Sequence, residues 1–310
     1  MTVRRASHAG TWYHHSNHDL TTLFEDEFEQ ATVSRSHSKA KAIIAPHAGY
    51  RYCATTSSWA YKAIDPSSVH RVFIIGPCHR TFIDGCAIPD TSVAEYATPF
   101  GNLQVDVDIV RELKSTPEVA FRTFKIDDDE EEHSIEMQLP ILQFALRGSN
   151  HKVKIVPIYV GSIVQNEERI FGRVLSKYFD DPGSLFIISS DFCHWGHRFR
   201  FTPSVFPESK PGGSLYSPGS MNANIEALDR QAMDLISRQD TEGFIKYLHT
   251  TGNTICGKYA ILILMEILRN SRTKHQVDFV HYSHSTGLSS NPSRDDSCVS
   301  YAAAVCSSVL

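Results

Sequence analysis

Residues 184–195 read Ser-Leu-Phe-Ile-Ile-Ser-Ser-Asp-Phe-Cys-His-Trp, an apolar run that ends in an acid, a thiol and an imidazole. Two other stretches repeat the arrangement: KAIIAPHAGY at 41–50 and RVFIIGPCH at 71–79. A fourth apolar run, VKIVPIYV, covers 153–160. Unbroken apolar runs, in contrast to alternating ones, suit strands covered on both faces. Helix-like patterns fill the intervals at 19–31, 55–64, 106–113, 134–146 and 167–178, and later at 224–236, 241–249 and 257–270. Strand and helix in alternation predict βα units around a sheet. Two late β-like runs, 277–284 and 298–305, are expected to join it. The expected fold is therefore α/β, with a mixed, largely parallel central sheet flanked by helices.

At 310 residues the chain has room for a sizeable core, and 41% hydrophobic with 21% charged residues excludes wholesale disorder. A net charge of −5 leaves no basic footprint for nucleic acid. No apolar run approaches the roughly 20 residues of a membrane span. The first residues, MTVRRASHAGTWYHHS, lack the apolar core of a signal peptide. Seven scattered cysteines, without a CxxC pair or a glycosylation acceptor, predict free thiols in a reducing compartment, cytoplasmic and also nuclear. The Pro/Gly/Ser-rich stretch 202–220 reads as a surface insertion within one domain. The acidic run 127–132 (DDDEEE) reads as a solvated loop, with His133 close enough for it to shape the field over a site.

In open α/β sheets ligands collect beyond the carboxyl ends of the strands. Three of the four runs end there in histidine: His47, His79, and His194 with Asp191. Gly49 and Gly76 suit a sharp turn or a close backbone approach. His133 and Glu136, three apart, are neighbours if both lie in a first helical turn; the alternative is a helix cap built on Ser134. Cys256 precedes a helical pattern, where a thiol ionises readily; alternatively it is a small buried apolar residue. If His47, His79 and Cys256 converge, two imidazoles and a thiolate form a three-point metal set with open positions. Such soft ligands favour copper(I), zinc or iron over magnesium or calcium. Asp191 and His194 would then serve as supporting or acid/base groups. A nucleophile elbow and a phosphate loop are both missing. A Cys/His protease built on Cys256 or Cys193 has no local signature.

Seven motifs carry a resemblance: SHAGTWY (7–13), AIIAPHAGYRYC (42–53), FIIGPCH (73–79), EEHSIEMQLP (131–140), SSDFCHWG (189–196), NTICG (253–257) and VSYAA (299–303). In this order, over nearly the whole chain, the sequence resembles the Memo family (mediator of ErbB2-driven cell motility). The resemblance implies a single domain over 1–310, similar in fold to the LigB-type class III extradiol dioxygenases, which are non-haem iron enzymes. It implies metal ligands at His47, His79 and Cys256, with Asp191 and His194 lining the site and His194 matching the acid/base residue. Cys256 stands where the ring-cleaving relatives carry a glutamate, and a thiolate is softer and itself oxidisable. The implied activity is therefore a redox one, dependent on copper or iron ahead of zinc. It would act on dioxygen or a small-molecule substrate, reduce dioxygen toward superoxide, and be tied to cell motility and polarised growth. The alternative is an interaction module whose old cleft binds a peptide of a signalling partner, phosphotyrosine peptides included. Trp12 and Tyr52 would line that pocket with His133 and Glu136. A third reading is a zinc hydrolase with His194 or Glu136 as base.

Overall fold

The runs that are apolar throughout form the middle of one sheet. Numbered in chain order, the strands are β1 (Thr2–Arg4), β2 (Ala42–Ala45), β3 (Arg71–Pro77), β4 (Cys86–Pro89), β5 (Val93–Tyr96) and β6 (Leu103–Val105). Then come β7 (Phe121–Phe124), β8 (Lys154–Val160), β9 (Ser184–Ser189), β10 (His194–Gly196), β11 (His275–His284) and β12 (Ser297–Ser308). The computed structural model describes residues 2–34, 39–149, 151–164, 166–203, 221–289 and 291–309. The expected insertion at 202–220 lies, from 204 onward, outside the described residues. Strands β6, β8, β3, β9 and β2 run parallel in that spatial order. Antiparallel β12 closes the β2 side and carries β10 and β11, while β5 pairs antiparallel with β6 on the other side. The sheet is mixed and mostly parallel.

The helices are α1 (Asn17–Gln30), α2 (Tyr50–Tyr61), α3 (Val107–Lys114), α4 (Ile126–Glu131), α5 (Leu139–Ala145), α6 (Glu167–Phe179), α7 (Met221–Ser237), α8 (Thr241–Thr251) and α9 (Lys258–Asn270). Helix α2 packs on β2, β11 and β12, with α1 and α5 against it, whereas α6 and α9 pack on each other and on β9. Every residue of β2 and β9 is consequently buried. Phe73 stacks on Phe186 across β3 and β9, ring centroids 4.5 Å apart, an offset pair of large apolar rings deep in the core.

Register decides where the polar ends meet. Ala45 lies opposite Ser189, and Ile188 opposite Ile75, so β2, β9 and β3 finish level with one another. The segments that follow them all leave the same edge of the sheet.

Four sequence expectations change. Helix α2 starts at Tyr50, not 55, directly after Gly49. The single helix expected over 134–146 is a 3-10 turn at Glu136–Gln138 followed by α5, because Pro140 has no N–H to return to the Glu136 carbonyl. The acidic run is helix α4 in place of a solvated loop, with Asp129, Glu130 and Glu132 buried. Strands β1, β4–β7 and β10, three or four residues each, were not expected, since so few residues display no period.

Candidate metal centre

His47 follows β2, His79 follows β3, and Cys256 lies immediately before Gly257 and α9. Their ligand atoms lie within 4.8 Å of one another, and Cys256 Sγ is 3.2 Å from His47 Nε2. Metal–ligand bonds of about 2.0 Å to nitrogen and about 2.3 Å to sulfur place two such atoms about 3.5 Å apart across a tetrahedral angle. The spacing fits an ion.

Both imidazoles are held in the orientation a metal needs. The Ser189 hydroxyl donates to the Ser134 carbonyl at 2.7 Å, so it accepts from His47 Nδ1–H at 2.8 Å. It also accepts from the Gln138 amide at 2.8 Å, whose oxygen is fixed by Tyr61. His79 Nδ1–H donates to Glu132 Oε1 at 2.9 Å. Each ring therefore turns its Nε2 toward Cys256, the arrangement in which outer groups orient metal-binding histidines. Burial holds His47 well below the usual imidazole range, which keeps its nitrogen unprotonated. Burial also opposes a charge on His79, but its bonds to Cys256 and Glu132 prevail and lift it to about 10. His79 thus holds a proton against the sulfur, and a bound ion would take that proton's place. The Cys256 thiol is itself pushed up by burial, with His79 acting in the opposite direction.

Gly257 makes the approach of the sulfur feasible. A Cβ there would lie 2.4 Å from Ser190 Cβ and 2.6 Å from the Ser189 carbonyl oxygen. The Asp191 backbone N–H points at Cys256 Sγ at 3.3 Å, and the Asp191 carboxylate accepts from the His47 backbone N–H at 2.8 Å. Asp191 accordingly ties the β2 and β9 ends together. His194 is oriented by others: its Nδ1 faces the carbonyls of Phe192 (2.9 Å) and Thr254 (3.2 Å), so Nδ1 carries the proton and Nε2 is the free base. Burial lowers its pKa, with Asp191 opposing.

His133 is slotted between Trp12 and His79, with ring centroids 4.4 and 4.6 Å away. Burial, together with the neighbouring histidines, drives it to about 2 and keeps it neutral. Glu136 does not line the cleft. It is fully buried, accepts from His8 Nδ1 (2.8 Å), the His8 backbone (2.9 Å), Tyr13 (2.6 Å) and Arg4, and is neither a helix-turn partner of His133 nor an exposed base. The Ser134 cap is absent as well, since that hydroxyl donates to Pro77 at 2.6 Å. Gly76 bears out a close approach: a Cβ there would meet Ser134 Oγ at 2.9 Å. Trp12 and Tyr52 share a cleft of about 570 Å³, where Tyr52 is 43% exposed under the Arg51 guanidinium. A second cavity of about 340 Å³ is lined by Cys78, His79, Cys256 and Lys258.

Sequence reasoning missed Glu132, Ser189, Gln138 and Thr254. Glu132 was concealed in an acidic run, and the other three carry no signal beyond lying in or beside the motifs.

The fold and its cluster define an α/β protein with a candidate His–His–Cys metal centre at the carboxyl edge of a mostly parallel sheet. A model of the Memo-like protein family matches residues 4–305, and the chain belongs to that family. It is 41% identical to protein MEMO1 of Xenopus laevis over 97% of this chain and 96% of that one. It is 40% identical to human MEMO1 over 98% and 97%, and 39% identical to the memo-1 homolog of Caenorhabditis elegans over 98% and 82%. Among solved structures, an uncharacterized protein of Escherichia coli K12 aligns with TM-score 0.46 and 13% identity over 84% of this chain and 98% of that chain, too loose a likeness to add to the fold. No helix among the described residues is long and apolar enough to cross a membrane.

Proposed function

We propose that the protein is a metal-dependent redox protein whose ion, copper or iron ahead of zinc, is held by His47, His79 and Cys256. The observation that carries this reading is the pair of Nε2 atoms turned toward one sulfur, with both Nδ1 protons committed to Ser189 and Glu132. When bound, the ion would supply one-electron chemistry toward dioxygen or a small organic substrate. The chain's own residues supply the rest. His194 Nε2 accepts or returns a proton beside the ligands while two carbonyls keep its ring from turning. Asp191 holds the His47 loop and the Cys256 sulfur in one frame. His133, neutral and stacked, excludes water between Trp12 and His79. A role in cell motility or polarised growth, in the cytoplasm and nucleus, belongs to the same proposal.

Anaerobic titration with copper(I) or iron(II) should show one ion per chain, and Cys256→Ser should weaken it at least tenfold. Binding unchanged by that substitution would remove the sulfur from the ligand set.

A second reading is favoured by the open cleft at Trp12 and Tyr52, which suits an extended peptide of a signalling partner, with Arg51 beside Tyr52 available to a phosphate. Substitution of Trp12 and Tyr52 should abolish partner binding while metal content stays constant if this reading holds. Loss of neither would exclude it.

A further inference from the structure

Behind the metal centre lies a buried acid that none of the motifs contains. Asp229, on α7, is completely buried. Its Oδ1 accepts from the Asn253 amide at 2.8 Å. Its Oδ2 accepts from the Tyr282 hydroxyl at 2.8 Å and the Ser300 hydroxyl at 2.5 Å. The backbone N–H of Cys193 also faces this carboxylate and favours its charged form. One carboxylate therefore grips the two loops that build the centre, 190–194 and 252–257, as well as the strands β11 and β12.

The grip is transmitted by short covalent steps. Asn253 gives its other amide proton to Tyr247 at 2.8 Å, so its side chain has no freedom to rotate. The next residue, Thr254, accepts the His194 backbone N–H at 2.7 Å, donates to the His194 carbonyl at 3.0 Å, and offers its own carbonyl to His194 Nδ1 at 3.2 Å. Two residues further is Cys256. Ser300 completes the frame from the other side, donating to the Cys193 carbonyl at 2.9 Å and accepting from the Phe192 N–H at 2.9 Å.

We propose that Asp229 is the positioning residue of the centre: by tying Cys193 to Asn253 it sets both the tautomer of His194 and the reach of the Cys256 sulfur. The carboxylate accepts the Asn253 amide on one oxygen and the hydroxyls of Tyr282 and Ser300 on the other. An amide in its place either sets its N–H groups against the Asn253 N–H or faces the two hydroxyls, which must then turn to accept and give up their bonds to the acid. Burial pushes Asp229 up to about 6, so the site retains a carboxylate there against its own desolvation.

This rests on the metal reading only for its second readout. The first is metal-free: ¹⁵N-resolved imidazole spectra of the full chain, in which wild-type His194 should show a protonated Nδ1 and a bare Nε2. Asp229→Asn should populate the other tautomer or broaden the signal by exchange. The second is Co(II) titration, where the sulfur-to-metal absorption should weaken and affinity should fall about tenfold. Ile236→Ala, a cavity on the same helix, is the control; it should lower stability and move neither readout. Folded Asp229→Asn with an unchanged tautomer and Co(II) affinity within twofold of wild type would overturn the proposal, as would Ile236→Ala reproducing both shifts. Should Asp229→Asn fail to fold, Tyr282→Phe, which removes one donor, decides by the same two readouts with smaller shifts in the same direction. A wild-type chain that takes no Co(II) would sink the metal reading and leave the imidazole spectrum to judge Asp229.

Discussion

The Glu132→Gln substitution tests the centre where its design is densest. The carboxylate is fully buried, and its Oε1 accepts three N–H groups at 2.9 Å each, from His79 Nδ1, the His133 backbone and the Ser134 backbone. Its Oε2 accepts the His79 backbone N–H. These bonds depress Glu132 far below the usual carboxylate range despite burial, His79 being the main partner. Glutamine has one acceptor oxygen. If that oxygen keeps the three donors, its NH₂ confronts the His79 N–H; if the amide flips, three donors confront the NH₂. A buried donor left facing a donor costs about 1–3 kcal/mol, so unfolding stability should drop by that much. His79 also loses the negative charge that helps lift it to about 10 and strengthens its Nε2 as a ligand. Loss of such an outer partner weakens metal binding about 10- to 100-fold, or about 1.4–2.7 kcal/mol. Competition against a chromophoric chelator measures the affinity, and urea denaturation of the metal-free chain measures the stability. Affinity within twofold of wild type, with an unshifted denaturation midpoint, would refute the orientation argument altogether.

Gly257→Ala should be more damaging than an ordinary loop alanine, because the new methyl carbon lands 2.4 Å from Ser190 Cβ. Overpacking of that kind costs about 1–3 kcal/mol and should pull Cys256 away, seen as lost stability together with lost sulfur-to-metal absorption. Glu136 predicts acid sensitivity: although burial opposes ionisation, its bonds to His8, Arg4 and Tyr13 depress it to about 2. A lowered folded-state pKa gives stability that is present above the unfolded value near 4.5 and is lost as pH falls through about 2. The amount is about 3 kcal/mol, so wild type should lose stability between pH 5 and 2.5 with a slope that Glu136→Gln flattens. Equal slopes for the two proteins would contradict the assignment.

What the sequence discloses of this molecule depends on how many neighbours a residue answers to. Strands β2, β3, β8 and β9 are legible because covering on both faces demands apolar side chains at nearly every position. Their polar ends are legible for the same reason, since histidine and aspartate interrupt an otherwise uniform run. Charged residues that are buried for structure are not. Arg4 and Arg5 are adjacent and chemically identical, yet the Arg4 side chain is 0% exposed between Asp129 and Glu136 while that of Arg5 is 81% exposed. Arg4 is the buried last residue of β1 and Arg5 the first residue past it, and a three-residue strand gives no sequence signal of where it ends. The acidic run fails in the same way: Asp129 and Glu132 point inward to Arg4 and His79, and nothing in six consecutive acids marks which.

The centre is unevenly supported, and that asymmetry has a consequence for how it fails. His47 and His79 leave the ends of β2 and β3, the two parallel strands that flank β9 in the most buried part of the sheet, each with a ring nitrogen locked by a buried partner. Cys256 arrives on a loop whose position depends on the missing side chain of Gly257, on Asn253, and on Thr254 clasping His194. Strain on the α7–α8 side therefore reaches the sulfur and the His194 base together, and leaves the two imidazoles where they are. A chain destabilised there should retain weak, nitrogen-only metal binding while losing the sulfur contribution and the proton-transfer group at once. Damage at Ser189 or Glu132 should do the reverse, releasing an imidazole while the thiolate remains. Co(II) spectra distinguish the two patterns directly, because only the first loses the sulfur-to-metal band while an ion is still bound.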